Sequence, residues 1–116
     1  LMDRDQIKQV VLNLLHNALH AMPNGGTLSV DTSTHQKNEH PWVVMSVQDN
    51  GKGISPHDLA RIFERFYRID DGRSRKTGGT GLGLAIVKNA IQLHQGEISA
   101  RKYKDKGVEF LFSLAK

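Results

Sequence analysis

The segment Asp3-Arg4-Asp5-Gln6-Ile7-Lys8-Gln9-Val10-Val11-Leu12-Asn13-Leu14-Leu15-His16-Asn17-Ala18-Leu19-His20-Ala21-Met22 decides how the chain begins to fold. Ile7, Val10, Val11, Leu14, Leu15, Ala18, Leu19 and Met22 recur at steps of three and four, the spacing of one buried stripe on an α-helix. Asp3 supplies an N-cap and Gln6 closes a capping box. Pro23-Asn24-Gly25-Gly26 stops the helix. A striped helix needs a surface to cover, and the residues that follow read as sheet. Leu28 and Val30 alternate with polar residues through position 34, and a second strand spans 43–48. The polar stretch 35–41 between them reads as a loop that joins the two strands in an antiparallel hairpin.

Asp49-Asn50-Gly51-Lys52-Gly53 breaks the second strand. A second helix starts behind Ser55 as cap, with Pro56 at the first helical position and Asp58 completing the box, and it carries Leu59, Ile62, Phe63 and Phe66. From 67 to 79 the apolar pattern dissolves into a polar segment with little to bury, which reads as a mobile lid. Helical character resumes over 80–94. There Leu82, Leu84, Ile86, Val87, Ala90, Ile91 and Leu93 are apolar on nearly every side, so this helix is expected to be largely buried and to end at Gly96. Strands over 97–103 and 108–115 complete the chain, joined by Lys104-Asp105-Lys106-Gly107 with the glycine expected at positive φ. This order suits an α/β (α+β) two-layer sandwich, a mixed, mainly antiparallel sheet with about three helices on one face.

With 116 residues, 38% of them hydrophobic and 24% charged, the chain reads as one globular domain spanning 1–116. No apolar run approaches the roughly 18 residues that cross a bilayer. The start has no signal-peptide layout and the first residue is not methionine, so the sequence reads as a piece of a longer protein. The absence of cysteine excludes disulfides, thiolate metal sites and thiol catalysis, and it fits the cytoplasm. The net charge of +4, from 16 Lys and Arg against 12 Asp and Glu, favours an anionic ligand.

Three short stretches carry candidate chemistry. Asn13, Asn17 and His20 lie nearly in line on the first helix, although asparagine is a poor helix-interior residue. The row reads as a solvated face, or else an asparagine of it is a carbonyl donor to a hard cation such as Mg²⁺, which takes oxygen ligands and completes its shell with phosphates. Asp49 ends a strand ahead of Gly51, Gly53 and Ile54, which is either an ordinary Asp-Gly turn or a carboxylate placed to accept from an exocyclic amine like that of adenine. Gly79-Thr80-Gly81-Leu82-Gly83-Leu84 opens a helix, where free amides and the helix dipole hold phosphate oxygens. No Gly-Lys-Thr or Gly-Lys-Ser occurs, so this is not a Walker loop.

Other features read as bland. His16 and His20 have zinc spacing but no evident third ligand. Arg73, Arg75 and Lys76 lack the interleaved aromatics of a nucleic-acid site, which argues against nucleic acid as a partner. Trp42 reads as a core anchor.

Taken in order, these stretches make the chain resemble the histidine kinase ATPase domain of two-component systems, in the superfamily shared with gyrase and mismatch-repair ATPases. Asn13-Leu14-Leu15-His16-Asn17-Ala18 is similar to the asparagine box of that family, and Asp49-Asn50-Gly51-Lys52-Gly53-Ile54 to its first glycine box. Ile62-Phe63-Glu64-Arg65-Phe66-Tyr67-Arg68 is similar to the phenylalanine box, and Gly79-Thr80-Gly81-Leu82-Gly83-Leu84 to the second glycine box. The resemblance covers almost the whole chain, with the four boxes in the family's order.

The resemblance implies a Bergerat-type ATP-binding fold and a protein-histidine kinase activity using Mg²⁺ and ATP. It implies Mg²⁺ held by Asn17 with Asn13 nearby, adenine recognised by Asp49 with Gly53 allowing close approach, and Arg68 reaching the terminal phosphate. Gly79, Gly81 and Gly83 would supply hinge and phosphate contacts, with Thr80 and Leu82 beside them, while Phe63 and Phe66 would anchor the lid by packing. The implied partners are a phosphoacceptor helical domain, on which dimerisation of the intact protein rests, and a response regulator; this piece alone is expected to be monomeric. The chain departs from the family at His20, where many members carry Lys or Arg, and at Ala21, where many carry an aromatic. The sequence leaves two other readings open, a serine kinase of the anti-sigma-factor type and a nucleotide-binding scaffold without transfer.

Overall fold

The structure of the chain, a computed structural model, describes residues 3–64, 67 and 83–115. Among them run α1 (Arg4–His20), β1 (Leu28–Lys37), β2 (His40–Asp49), α2 (Pro56–Leu59), α3 (Gly83–Leu93), β3 (Glu97–Tyr103) and β4 (Gly107–Ala115). The strands form one sheet in the order β1-β2-β4-β3, and each neighbouring pair is antiparallel. The sandwich is as the sequence suggests, with every described strand pair antiparallel.

Alternation along the strands decides which face the helices cover. Val47 of β2 and Val108, Phe110, Phe112 and Leu114 of β4 point inward and meet Val10 and Leu14 of α1, Val87, Ala90 and Ile91 of α3, and Ile62. Burying such a side chain contributes roughly 1.5–3 kcal/mol. The opposite face carries no helix among the described residues. On it the buried carboxylate of Glu109 accepts hydrogen bonds from Gln48 Nε2 and Arg101 Nε across the three strands.

Several local expectations differ from what folds. The loop expected over 35–41 is strand: β1 and β2 continue to the Lys37–His40 pair and turn through Asn38 and Glu39 alone, at φ 53° and 67°. Two positive φ values make the tight turn whose twist matches that of the strands. A glutamate in that conformation gives no sequence signal. Val30 is 47% exposed because β1 is an edge strand that the helices barely reach. Trp42 is not a core anchor; pairing with Ala115, it falls on the helix-free face, half-buried, with Lys37 Nζ 5.9 Å from its ring centre.

Helix α2 stops at Leu59 instead of running on through Ile62 and Phe63. Helix α3 buries only the side that faces the sheet, and Ile86 and Leu93 remain 51% and 66% exposed. It ends with Gln95 at φ 61° and the Gly96 amide donating back to the Ile91 carbonyl. In the β3–β4 turn the positive φ belongs to Lys104, not to Gly107. Gly107 is small for another reason, since a side chain there would run into the Asp49 carbonyl. No helix among the described residues is long and apolar enough to cross a membrane.

Candidate nucleotide site

Asp3 caps α1, its carboxylate accepting from the amides of Asp5 and Gln6. The helix then carries Asn13 and Asn17 half-buried beside its buried Val10–Leu14–Ala18 stripe, with His20 exposed in the last turn. The rings of His16 and His20 meet edge to face at 5.9 Å.

Helix α3 lies alongside and runs the opposite way. The Asp3 amide donates to His94 Nε2 at 2.9 Å, and His94 Nδ1 sits 2.7 Å from the Ala90 carbonyl. Because Nε2 accepts, the ring hydrogen is on Nδ1, where it is donated to Ala90. The bond pins the end of α3 to the start of α1. Going back from His94 to Gly83, the helix rises about 1.5 Å per residue, roughly 16 Å in all, so its first turn comes level with the Asn13–Asn17 stretch of α1. A groove of about 120 Å³ runs between them, lined on one side by Gln6, Gln9 and Asn13 and on the other by Ile86, Asn89 and Leu93.

The second component is the end of β2. Asp49 is only 3% exposed, and its Oδ1 accepts the Gly51 amide at 2.9 Å. Burial pushes its carboxyl above the ordinary aspartate value, opposed by the amides of Gly51 and Val108. The loop that follows is welded to the end of α1. The Lys52 amide donates to the Ala21 carbonyl at 3.1 Å, and the Thr27 amide donates to Asn50 Oδ1 at 2.8 Å.

The two glycines of this loop are required by the protein itself. A side chain at Gly51 would strike the Ala21 carbonyl, and Gly53, at φ +77°, would place a Cβ 2.5 Å from the Lys106 carbonyl oxygen. Ile54 packs against the core beyond them.

Gly83 opens α3, and among the described residues nothing stands within 4 Å of where a Cβ would be. Phe63 packs edge-on against Phe110 at 6.2 Å. Phe66, Arg68, Gly79, Thr80, Gly81 and Leu82, and with them the expected lid, lie outside the described residues.

Sequence reasoning overlooked two junctions, Ala21–Lys52 and Asp3–His94. Both are made by backbone groups or by contacts distant in sequence, which leave no local pattern.

The arrangement offers a buried carboxylate, two helix-borne amide side chains and the start of a helix. Among the described residues no three acidic or histidine side chains cluster to hold a metal ion unaided. A cation here needs oxygens from a ligand, which is how Mg²⁺ sits on nucleotide phosphates. The donor set therefore fits Mg²⁺-nucleotide.

The model of the histidine kinase-, DNA gyrase B- and HSP90-like ATPase family matches residues 2–116. The chain is similar to the sensor histidine kinase WalK of Bacillus subtilis (strain 168), 45% identical over 114 residues that cover 97% of this chain and 18% of that protein. It is similar also to the signal transduction histidine-protein kinase BaeS of Escherichia coli (strain K12), 38% identical over 112 residues, 97% of this chain and 23% of that protein. The chain thus spans about a fifth of the length of these curated relatives. Of solved structures, the catalytic domain of histidine kinase ThkA superposes with a TM-score of 0.82 at 31% identity, covering 99% of this chain and 69% of that one. Full-length ShkA in complex with AMPPNP superposes at 0.72 with 30% identity, over 94% of this chain and 21% of that one.

Proposed function

The chain belongs to the family of histidine kinase-, DNA gyrase B- and HSP90-like ATPases, as an ATP-binding catalytic domain of the sensor histidine kinase type, and from that premise we propose that it binds Mg²⁺-ATP and passes the terminal phosphoryl group to a histidine on a separate helical domain. The site is bounded by the Asn13–Asn17 ridge of α1, the loop after Asp49 and the start of α3.

The observation that carries this reading is the buried Asp49 carboxylate, fixed by the Gly51 amide at the floor of a loop that is itself fastened to α1. A carboxylate accepts only, so it selects a ligand edge that donates, as the exocyclic amine of adenine does. Asn17, with Asn13 one turn before it, is assigned to hold Mg²⁺ through its amide oxygen. His20, Arg68, Gly79, Thr80, Gly81, Leu82 and Gly83 are assigned to the phosphates, and Gly51, Gly53 and Ile54 to the adenine end.

When bound, Mg²⁺-ATP would supply the phosphoryl group and, through the cation held by Asn17, positive charge to offset that of the phosphates. The chain contributes position and charge neutralisation, which are the main contributions of a protein to this chemistry. No general base is needed from it, since a neutral imidazole on the acceptor is already a nucleophile. A nitrogen–phosphorus bond forms as the bond from phosphorus to the bridging oxygen breaks and ADP leaves. The acceptor domain, through which the intact kinase would dimerise, and a response regulator that takes the phosphoryl group onward are the partners this reading requires.

Calorimetry with ADP, with and without Mg²⁺, on the wild type and Asp49→Ala tests it. Binding is expected in the wild type and lost in the variant. Equal affinity in the two breaks the adenine assignment.

A further inference from the structure

The face of the sheet that the described helices leave bare holds a carboxylate that nucleotide binding does not touch. Glu109 stands near the start of β4, opposite Gln48 on β2 and Arg101 on β3. Only 4% of it is exposed, although Arg101 beside it keeps 71% of its side chain open to solvent. Its oxygens are divided between the two neighbours: Oε2 accepts from Gln48 Nε2 and Oε1 from Arg101 Nε. One side chain thus ties three strands together at a single level.

A buried carboxylate is costly unless it is hydrogen-bonded, and an apolar residue of similar size would fill the same place without that cost. What the polar trio adds is discrimination between registers. Side chains alternate across a sheet, so a slip of one residue between β2 and β4 carries every side chain of the slipped strand to the other face. Glu109 finds both donors where Gln48 and Arg101 are its opposite numbers. In that register the next residue of β2, Asp49, turns to the helix side and comes opposite Val108, whose amide faces its carboxylate. The same strand end lies close against the site. A side chain at Gly107 would run into the Asp49 carbonyl, and one at Gly53 into the Lys106 carbonyl. Any shift of β4 against β2 is therefore passed to Asp49 and to the loop behind it.

We infer that Glu109 is a positioning residue for adenine recognition: by holding Gln48 and Arg101 it fixes β2 against β4, and so the place from which the Asp49 carboxylate meets the base. The inference rests on the reading of Asp49 as the acceptor for the exocyclic amine. Glu109 acts from the far face of the sheet, through the backbone of Gln48 and Val108, without touching the ligand.

The test compares ADP with inosine diphosphate, whose base carries a carbonyl oxygen in place of the amine and so sets acceptor against acceptor at Asp49. By calorimetry the wild type should prefer ADP by about tenfold or more. Glu109→Ala should reduce that preference to about twofold or less, mainly through weaker ADP binding. Glu109→Gln keeps an oxygen for Gln48 and should retain most of it. Gln48→Ala breaks the same bond from β2 at a half-buried position; it should match Glu109→Ala, and it decides the question should Glu109→Ala not fold. Thermal melts on every variant separate stability from recognition. A lower melting temperature with the preference intact, or an equal loss of affinity for both nucleotides, marks a merely structural role and overturns the inference. If the wild type discriminates and neither Glu109→Ala nor Gln48→Ala lowers the discrimination, the role of Glu109 alone is wrong. If the wild type binds the two nucleotides alike, the adenine assignment of Asp49 falls, and the role of Glu109 with it.

Discussion

The amide of Lys52 donates to the carbonyl of Ala21 at 3.1 Å, so the end of the asparagine-bearing helix and the loop after Asp49 form a single junction. Two regions 31 residues apart in sequence (positions 21 and 52) thereby present their polar groups in fixed relation, and the first predictions test that junction and what it holds.

Asp49→Asn keeps an oxygen for the Gly51 amide but removes the charge. ADP affinity should fall roughly 10- to 100-fold, the effect of weakening a charge-assisted bond. Stability should move the other way. Burial raises the carboxyl of Asp49, so the folded state holds its proton more tightly than the unfolded chain. The native state is favoured below the unfolded value, and that advantage is lost as pH rises through the raised folded one. At pH 7 the neutral asparagine should therefore melt higher than the wild type, and the gap should close as the wild type takes up its proton on acidification. Thermal melts between pH 7.5 and 4.5 check the sign, and a lower melting temperature for Asp49→Asn at pH 7 contradicts it.

Asn17→Ala should remove the Mg²⁺-dependent part of nucleotide affinity, a loss of roughly 10- to 100-fold with Mg²⁺ present. Without Mg²⁺, ADP affinity should be almost unchanged. Calorimetry at saturating and zero Mg²⁺ separates the two, and an equal loss in both conditions takes Asn17 away from the cation.

Gly53→Ala probes the loop from its other side. The residue is held at φ +77°, where an L side chain costs roughly 1–2 kcal/mol, and the new methyl would meet the Lys106 carbonyl. A loss of that size lowers the melting temperature of a domain of this length by about 4–8 °C per kcal/mol. A variant that melts with the wild type would show that the turn between β3 and β4 yields.

His20 stands exposed at the end of α1, where many relatives carry a fixed cation by the resemblance drawn above. A fixed cation there would favour the phosphates. His20→Arg should therefore raise ADP affinity severalfold at about pH 7.5, and calorimetry on the two proteins checks it. Equal affinities remove position 20 from the site.

Much of this was legible in the sequence because the strong signals are local. The stripe of α1, the cap at Asp3, the alternation of β2 and β4 and the start at Ser55-Pro56 each lie within one helix or one strand, and each forms, although Leu19 of the expected stripe stays 58% exposed and β2 extends to His40–Asp49. What escaped was set by tertiary position. Nothing in Val30 says that its strand lies at an edge, and nothing in Trp42 says on which face the register will place it. The second helix failed for a different reason. Its side chains satisfy one another at a spacing of three, while the apolar residues read on their own, Leu59, Ile62 and Phe63, fit an α-helix equally well. At the candidate site, the residue types at 13, 17 and 49 were legible. The backbone ties at Ala21 and the pin between Asp3 and His94 were not, because amides and carbonyls are the same in every residue.

The β1–β2 hairpin has a practical use. Its tip at Asn38–Glu39 lies nine residue pairs from the Leu28–Asp49 end, about 30 Å at the rise of an extended strand. A fluorophore attached there rides on the sheet far from the adenine site proposed at Asp49, and a second dye on ADP would report occupancy by energy transfer over a span set by hydrogen-bonded strands.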